Sequence, residues 1–295
     1  MLQACFCLHK RFLIRFGIGR TPEALGKVIN MLKILYEDEQ ILVVWKPAGT
    51  ESQESRGFGR DMVSEIRKHI HSQFPEKGIP YGGVILRLDK PVSGLLVYAK
   101  TQKAAAALSK QTVERRMKKK YLAVLCGKPV DNVDNFVDYL LKRGRENRSC
   151  IVDKGITGAK RAELSFRILE TQVLEPYGEL SLAEITLQTG RHHQIRVQMA
   201  GHGLPLWGDQ KYNTASSYGW NLPATSAGDS VHLSAASAEN GIHLPASNAG
   251  LALSAWHLAF THPVTGKQMV FEKLPEEGIF QRFGYCINIE VQAFQ

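Results

Sequence analysis

Apolar and polar positions alternate in short runs along most of the chain, and the runs are separated by turn residues. In "KILYEDEQILVVWKPAG" (33–49) the pattern predicts a strand, an acidic turn and a second strand ended by Pro47-Ala48-Gly49. Met62, Val63, Ile66 and Ile70 have the spacing of one helical face, which predicts a helix over 60–73. "VILRL" (84–88) and "GLLVYAK" (94–100) read as strands joined by a loop that contains Asp89. Thr101 is placed to cap a helix over the Ala-rich "QKAAAALSKQTVERRMK" (102–118), and "KYLAVLCG" (120–127) is another strand. A polar region follows. "AELSFRILET" (162–171) and "ELSLAEITLQ" (179–188) alternate as neighbouring antiparallel strands would. "TGRHHQIRVQMAGHG" (189–203) has a helical middle and a glycine stop, and "WHLAFTHPVTGKQMVFEKL" (256–274) predicts a hairpin with a Pro/Gly turn. Strands that follow one another closely, with helices between some of them, predict an α+β fold rather than a doubly wound parallel sheet.

Two stretches fall outside this pattern. Residues 213–254 are rich in Ala, Ser, Asn and Gly and carry only Asp229 and Glu239 as charges, which predicts a polar surface insertion. "HLSAASAENG" and "HLPASNAG" echo each other too loosely for a repeat architecture. Patterned sequence first appears at Met31, so residues 1–30 read as an extension to a single domain spanning 31–295. The first 22 residues have no acidic side chain and carry Lys10, Arg11, Arg15 and Arg20, a composition that also resembles a transit peptide.

Composition narrows the class. With 295 residues, 44% of them hydrophobic and 22% charged, the chain can bury a substantial core, and no run is long enough for a membrane span. Five cysteines (Cys5, Cys7, Cys126, Cys150, Cys286) form no CxxC pair and no Cys/His zinc spacing, which predicts reduced thiols in a cytoplasm. The formal net charge of +9 favours a polyanionic partner. Its distribution is more telling: "ERRMKKK" (114–120), with Lys119 and Lys120, and "KRGRENR" (142–148) are basic, whereas no Lys or Arg lies between Lys211 and Lys267. Either run also fits a solvated face.

The common chemical signatures are missing. There is no GxxxxGK[ST] phosphate loop and no GxGxxG after a strand. His192 and His193 are adjacent, so on a helix they would diverge by about 100° and could not share a metal as an i, i+4 pair does. "VSGLL" around Ser93 is not the GxSxG of a hydrolase elbow. Asp89 is the better candidate. Taken alone it reads as a charged turn residue, but Arg87 and Lys90 flank it, and nearby cations keep a partly desolvated carboxylate ionised. Such a group acts as nucleophile, or stabilises an oxocarbenium-like centre, in glycosidic chemistry. Hydrolytic glycosidases use two carboxylates, and Asp209 in "GDQKY", the other motif carboxylate, reads as a turn or cap residue. In "TGRHHQIRVQ", Arg191, His193 and Arg196 form a basic helix end; they suit either a cation for Asp89 or contacts to a nucleic-acid backbone.

Five segments, in order, resemble the RluA-type RNA pseudouridine synthases: "ILYEDEQILVVWKPAG", "LRLDKPVSGLLVYAKT", "KKYLAVLCG", "LQTGRHHQIRVQMAGHGLPLWGDQKY" and "WHLAFTHPVTGK". The matches run from about residue 33 to 273. The resemblance implies the catalytic fold of that family, a mixed and largely antiparallel sheet flanked by helices. It implies isomerisation of uridine to pseudouridine in rRNA or tRNA without metal or organic cofactor; the protein is expected to be a monomer. Asp89 would be the catalytic aspartate, Tyr121 the tyrosine that packs on the base and helps move the C5 proton, and Arg196 the ion-pair partner of Asp89. Arg87 would correspond to the arginine that takes the place of the flipped nucleotide, and Lys90, Arg191, His193, Lys119 and Lys120 would contact RNA. The motif's His, Thr, Thr and His are here Leu86, Val92, His192 and Gln198, and Pro91 follows Lys90 directly. Residues 1–30 are too short for the S4-type RNA-binding domain of many relatives. A rival expectation is an RNA-binding or ribosome-assembly factor on the same fold that has lost catalysis.

Overall fold

The computed structural model describes residues 32–213, apart from 56, 58 and 176, and residues 250–286. The expected N-terminal extension, and the expected insertion from 214 to 249, lie outside the described residues.

The strands are β1 (Lys33–Glu37), β2 (Ile41–Lys46), β3 (Gly83–Val84), β4 (Ser93–Ala99), β5 (Lys118–Cys126), β6 (Val133–Arg143), β7 (Arg148–Val152), β8 (Lys160–Leu174), β9 (Gly178–Leu187), β10 (Leu253–Thr261) and β11 (Gln268–Glu272). They form one sheet in the order β1-β2-β4-β10-β5-β9-β8-β6-β7, with β3 also paired to β4 and β11 to β10. Every pairing is antiparallel except β4–β10, which is parallel over Ser93↔Ser254 and Gly94↔Ala255. The sheet is therefore the mixed, largely antiparallel one of an α+β fold.

The period-two alternation divides the sheet between two cores. Leu42, Val44, Leu96, Tyr98, Tyr121, Ala123, Ile185 and Ala255 point to one face. This face is covered by α1 (Met62–Gln73), α3 (Gln194–Gly201) and the Asp89 loop, through Met62, Ile66, Ile195, Met199, Leu88 and Val92. The opposite face is filled by α2 (Gln102–Val113), through Ala104 and Leu108, and by Phe280 of a C-terminal 3-10 segment (Gly278–Arg282) with Phe283 just after it. Local chemistry sets the helix starts. Asp61 accepts from Ser64 N at 2.8 Å, and Thr101 accepts from Ala104 N at 3.2 Å.

Some boundaries differ from the sequence expectation. β3 covers only Gly83–Val84, because from Ile85 onward the chain leaves the ladder to form the Asp89 loop. α2 stops at Val113 rather than Lys118. Arg115 turns left-handed (φ 56°), and Lys118 already pairs with Ala259 of β10. The expected polar region is the β6–β7 hairpin, with the 142–148 basic run at its tip. Phe136 and Leu140 are the only deeply buried apolar residues of β6, too few for a clear period. The expected end of the insertion at 254 falls inside β10, which begins at Leu253.

Candidate active site

One rung of the sheet carries much of the site. Lys46 of β2 pairs with Gly94, Gly94 with Ala255, Ala255 with Tyr121 and Tyr121 with Ile185. Residues level across a sheet share a face, so Lys46 and Tyr121 flank a floor made only of glycine and alanine. Gly94 has φ 135°, and a Cβ there would meet the Ala255 backbone N and O at 2.5 Å. The close parallel contact of β4 and β10 thus requires a residue without a side chain.

The loop bearing Asp89 is pinned on both sides of it. Leu88 exchanges hydrogen bonds with the Ser52 hydroxyl: its carbonyl accepts at 2.7 Å and its N–H donates at 2.9 Å. The Lys90 carbonyl accepts from Gly49 N at 2.8 Å and from Lys46 Nζ at 3.1 Å. The Val92 N–H closes the turn onto the Asp89 carbonyl at 3.0 Å. Lys46 is fully buried and gives its other donors to the carbonyls of Thr50 (2.7 Å) and Pro47 (3.0 Å). Burial lowers its pKa to about 8, while Glu51 and Asp89 act to keep it charged.

Asp89 itself remains 33% exposed at its side chain. Arg196 Nη1 approaches its Oδ2 at 3.7 Å and His193 Nε2 at 3.6 Å, both longer than hydrogen bonds. Arg196 is held elsewhere. Its Nε and Nη2 donate to the two oxygens of the buried Asp209 at 2.7 and 2.6 Å, and the ring of Tyr212 lies under its guanidinium at 5.2 Å. Burial raises the Asp89 carboxyl above its ordinary range; Arg196 pulls it back most strongly, Asp209 raises it further, and Lys46 and Lys211 lower it. The site therefore holds a carboxylate whose oxygens are left open beside a fixed cation, an arrangement suited to attack on an electrophilic carbon.

The other expected residues divide into groups. Tyr121 is 7% exposed on the floor rung, with Lys119 Nζ 5.1 Å from its ring centroid. Lys120 points to the opposite face, where it reaches the buried Glu184 at 3.4 Å together with Arg167, so it is not brought to the site. Arg87 and Lys90 are exposed at the loop; Arg87 Nη1 donates to Gln53 Oε1 at 3.2 Å and Lys90 Nζ lies 3.9 Å from Glu51. Arg191 is exposed and donates to the Arg161 carbonyl at 2.9 Å. His193, expected as an RNA contact on a helix face, is instead a buried left-handed residue (φ 54°) just before α3, turned toward Asp89. Asp209 does cap its turn, accepting from Lys211 N at 2.9 Å and Tyr212 N at 3.2 Å, and it also clamps Arg196. Its clamp, the Lys46 cage and the Gly94 floor were not anticipated. Glycine within a strand is the one local signal of a close backbone approach.

The comparisons with known proteins identify the family. The family described as RNA pseudouridylate synthase matches residues 40–201. The ribosomal large subunit pseudouridine synthase D of Zymomonas mobilis is 32% identical over 249 residues, covering 83% of this chain and 70% of that protein. The ribosomal large subunit pseudouridine synthase C of Escherichia coli is 32% identical over 247 residues, covering 83% and 67%. The solved structure of human RNA pseudouridylate synthase domain containing 1 shares the fold, with a TM-score of 0.60 at 21% identity over 91% of this chain and 96% of that one. In eight of its curated relatives the match covers between 60% and 74% of their length. With the fold, the ordered motifs and these matches in agreement, the chain belongs to the RNA pseudouridylate synthase family of RluA type, isomerases that convert uridine in RNA to pseudouridine.

Proposed function

We propose that this synthase acts on large-subunit ribosomal RNA, with Asp89 as its nucleophile. The RNA class is taken from the names of the curated relatives in Zymomonas mobilis and Escherichia coli. The observation that carries the nucleophile is the half-open Asp89 carboxylate between two backbone pins, with Arg196 at 3.7 Å.

In the proposed sequence the target uridine leaves its stack and enters the pocket over the Gly94–Ala255 floor. An Asp89 oxygen bonds to C1′ as the C1′–N1 bond breaks, and the electron pair leaves with the uracil. The ring turns over, C5 bonds to C1′, and the carboxylate departs. The C5 proton is lost and N1 gains one, so atoms balance and no water, metal or cofactor is consumed. Tyr121 supplies a face for the base; such stacking is worth about 1–3 kcal/mol. Arg196, fixed by Asp209, opposes the effect of burial and favours the ionised form of Asp89. Exposed Arg87, Lys90 and Arg191, with Lys119, line the approach and suit phosphate contacts whose strength falls with salt. The described cysteines Cys126, Cys150 and Cys286 are buried free thiols, which supports a reducing cytoplasm, and the enzyme is taken to act as a monomer.

Asp89→Asn tests the reading. The variant should bind RNA with near wild-type affinity and form no pseudouridine on a large-subunit rRNA transcript. Turnover approaching wild type would remove Asp89 from the chemistry, and modification of tRNA but not rRNA transcripts by the wild-type enzyme would overturn the substrate class.

A further inference from the structure

A chain of contacts joins the basic β6–β7 hairpin to the Asp89 carboxylate. Ser149 follows directly on Arg148 at the start of β7, and its N–H donates to Tyr212 Oη at 2.8 Å. Tyr212 Oη lies 2.8 Å from His193 Nδ1, and His193 Nε2 lies 3.6 Å from Asp89 Oδ2. The Ser149 hydroxyl also donates to the His192 carbonyl at 2.9 Å, and Lys211 Nζ donates to the Asn147 carbonyl at 3.0 Å, so the hairpin tip is bolted to the loops beside α3.

The protons in this chain have one consistent arrangement. Tyr212 is only 4% exposed, and its oxygen already accepts from Ser149. Burial keeps the His193 imidazole neutral, and the neighbouring Arg196, His192, Lys211 and Lys142 act in the same direction, placing its pKa at about 2. A neutral imidazole carries a single N–H. If that were Nδ1–H, the buried Tyr212 hydroxyl proton would have no acceptor among the described residues. The Tyr212 hydroxyl therefore donates to Nδ1, and the imidazole proton sits on Nε2, the nitrogen that faces Asp89.

We propose that His193, oriented through Tyr212 by the backbone of Ser149, is a positioning residue that presents an Nε2–H to Asp89 and so couples the seating of the hairpin to the aim and ionisation of that carboxylate. The inference rests on Asp89 being the nucleophile. The other charged groups facing Asp89 are Arg196 on α3, Asp209 and Lys211 in the following loop, and Lys46 at the end of β2. Of these, Lys211 reaches the hairpin directly at the Asn147 carbonyl and Arg196 lies over the Tyr212 ring, whereas the Tyr212 hydroxyl itself is bonded to His193.

Two variants separate positioning from mere packing. Asparagine tolerates the left-handed backbone at 193 but is too short to reach Asp89. Tyr212→Phe keeps the ring against Leu140 and Val197 and removes only the hydroxyl. Turnover of an rRNA fragment is measured from about pH 5 to about pH 8. In His193→Asn and Tyr212→Phe the rate at the acid end, relative to the rate at the alkaline end, should fall roughly fivefold below wild type, with KM unchanged. His193→Gln, whose amide nitrogen can stand near the Nε2 position, should restore the wild-type profile. Equal losses at every pH, or no loss, would overturn the proposal. If the substituted proteins fail to fold, the imidazole nitrogen shifts of the wild-type enzyme decide: Nε2–H supports the arrangement and Nδ1–H overturns it. An active Asp89→Asn variant would instead overturn the nucleophile itself, so the two failures are distinguishable.

Discussion

Gly94→Ala is the substitution for which the structure gives the largest effect per atom added. The new Cβ would stand 2.5 Å from the N and O of Ala255 and 2.7 Å from its Cα, where contacts between such atoms normally begin near 3.4 Å. Those atoms are backbone, so no side chain can rotate away; β4 and β10 must part by about 1 Å. The backbone at φ 135° adds strain of about 1–3 kcal/mol for any residue with a Cβ, and overpacking adds about 1–3 kcal/mol. The expected loss is about 2–6 kcal/mol, a large fraction of the stability of an ordinary domain. Parting the strands also shifts the Ser93–Ser254 contact (3.1 Å), and with it the end of the loop that carries Asp89. Gly178→Ala is the control, since φ there is 79° and nothing lies within 4 Å of the added Cβ; it should cost only about 1–2 kcal/mol. Urea denaturation of both variants, with turnover on an rRNA fragment under native conditions, checks the comparison. If Gly94→Ala loses no more stability than Gly178→Ala and keeps full activity, the close parallel contact does not shape the site.

Other substitutions probe the parts around that floor. Arg196→Ala leaves Asp209 buried without its counter-charge and should cost roughly 3–5 kcal/mol in thermal or urea melts, part of it recovered when Asp209→Asn is added. The same change removes the cation that most strongly lowers the Asp89 carboxyl, so the acid limb of the pH–rate profile should move to higher pH; an unmoved limb refutes the pairing. Lys46→Met withdraws a donor from the carbonyls of Pro47, Thr50 and Lys90 and should cost about 2 kcal/mol, with kcat falling more than KM rises. Lys120→Ala, on the face away from the pocket, should leave RNA affinity within about twofold by filter binding, whereas Lys119→Ala should weaken it and flatten its salt dependence. Asp138 accepts from Gln198 at 2.7 Å and pairs with His202 at 3.1 Å; burial works against its charge, but these partners hold its pKa below the ordinary 3.8. Its stabilisation is present above that value and lost as pH falls through the lower folded value. Asp138→Asn should therefore cost about 1 kcal/mol near neutral pH and nothing in strong acid, read from melts across pH.

Much of the fold was legible because its strands are short runs bounded by turn residues, continuous and apolar where both faces are buried, as in β2, β4 and β5, and alternating elsewhere. β8 and β9 are the clearest case: the two alternating runs are neighbours in the sheet, as their spacing suggested. The β6–β7 hairpin was not legible, because most of β6 faces solvent and burial never imposes a pattern on it. The 142–148 run consequently read only as a basic stretch in a polar region, whereas it is a turn fixed by the register of Lys142 with Ser149 and Arg143 with Arg148.

The site divides along a different line. Asp89 and Arg196 were visible from their motifs, but what makes them a pair is a third residue, Asp209, whose turn-capping role in "GDQKY" concealed a second one. A guanidinium facing Asp89 alone would be drawn into a bidentate contact and would cover the oxygens that, in the proposed mechanism, reach C1′. Two of its edges are instead committed to Asp209, and only Nη1 is left toward Asp89, at 3.7 Å. The same logic applies to Lys46, whose donors all go to backbone carbonyls, so that it supplies positive field without capping the carboxylate. A nucleophile has to be kept charged and kept uncovered. The sequence shows the charges near Asp89, but only the geometry shows that each is tethered to something else.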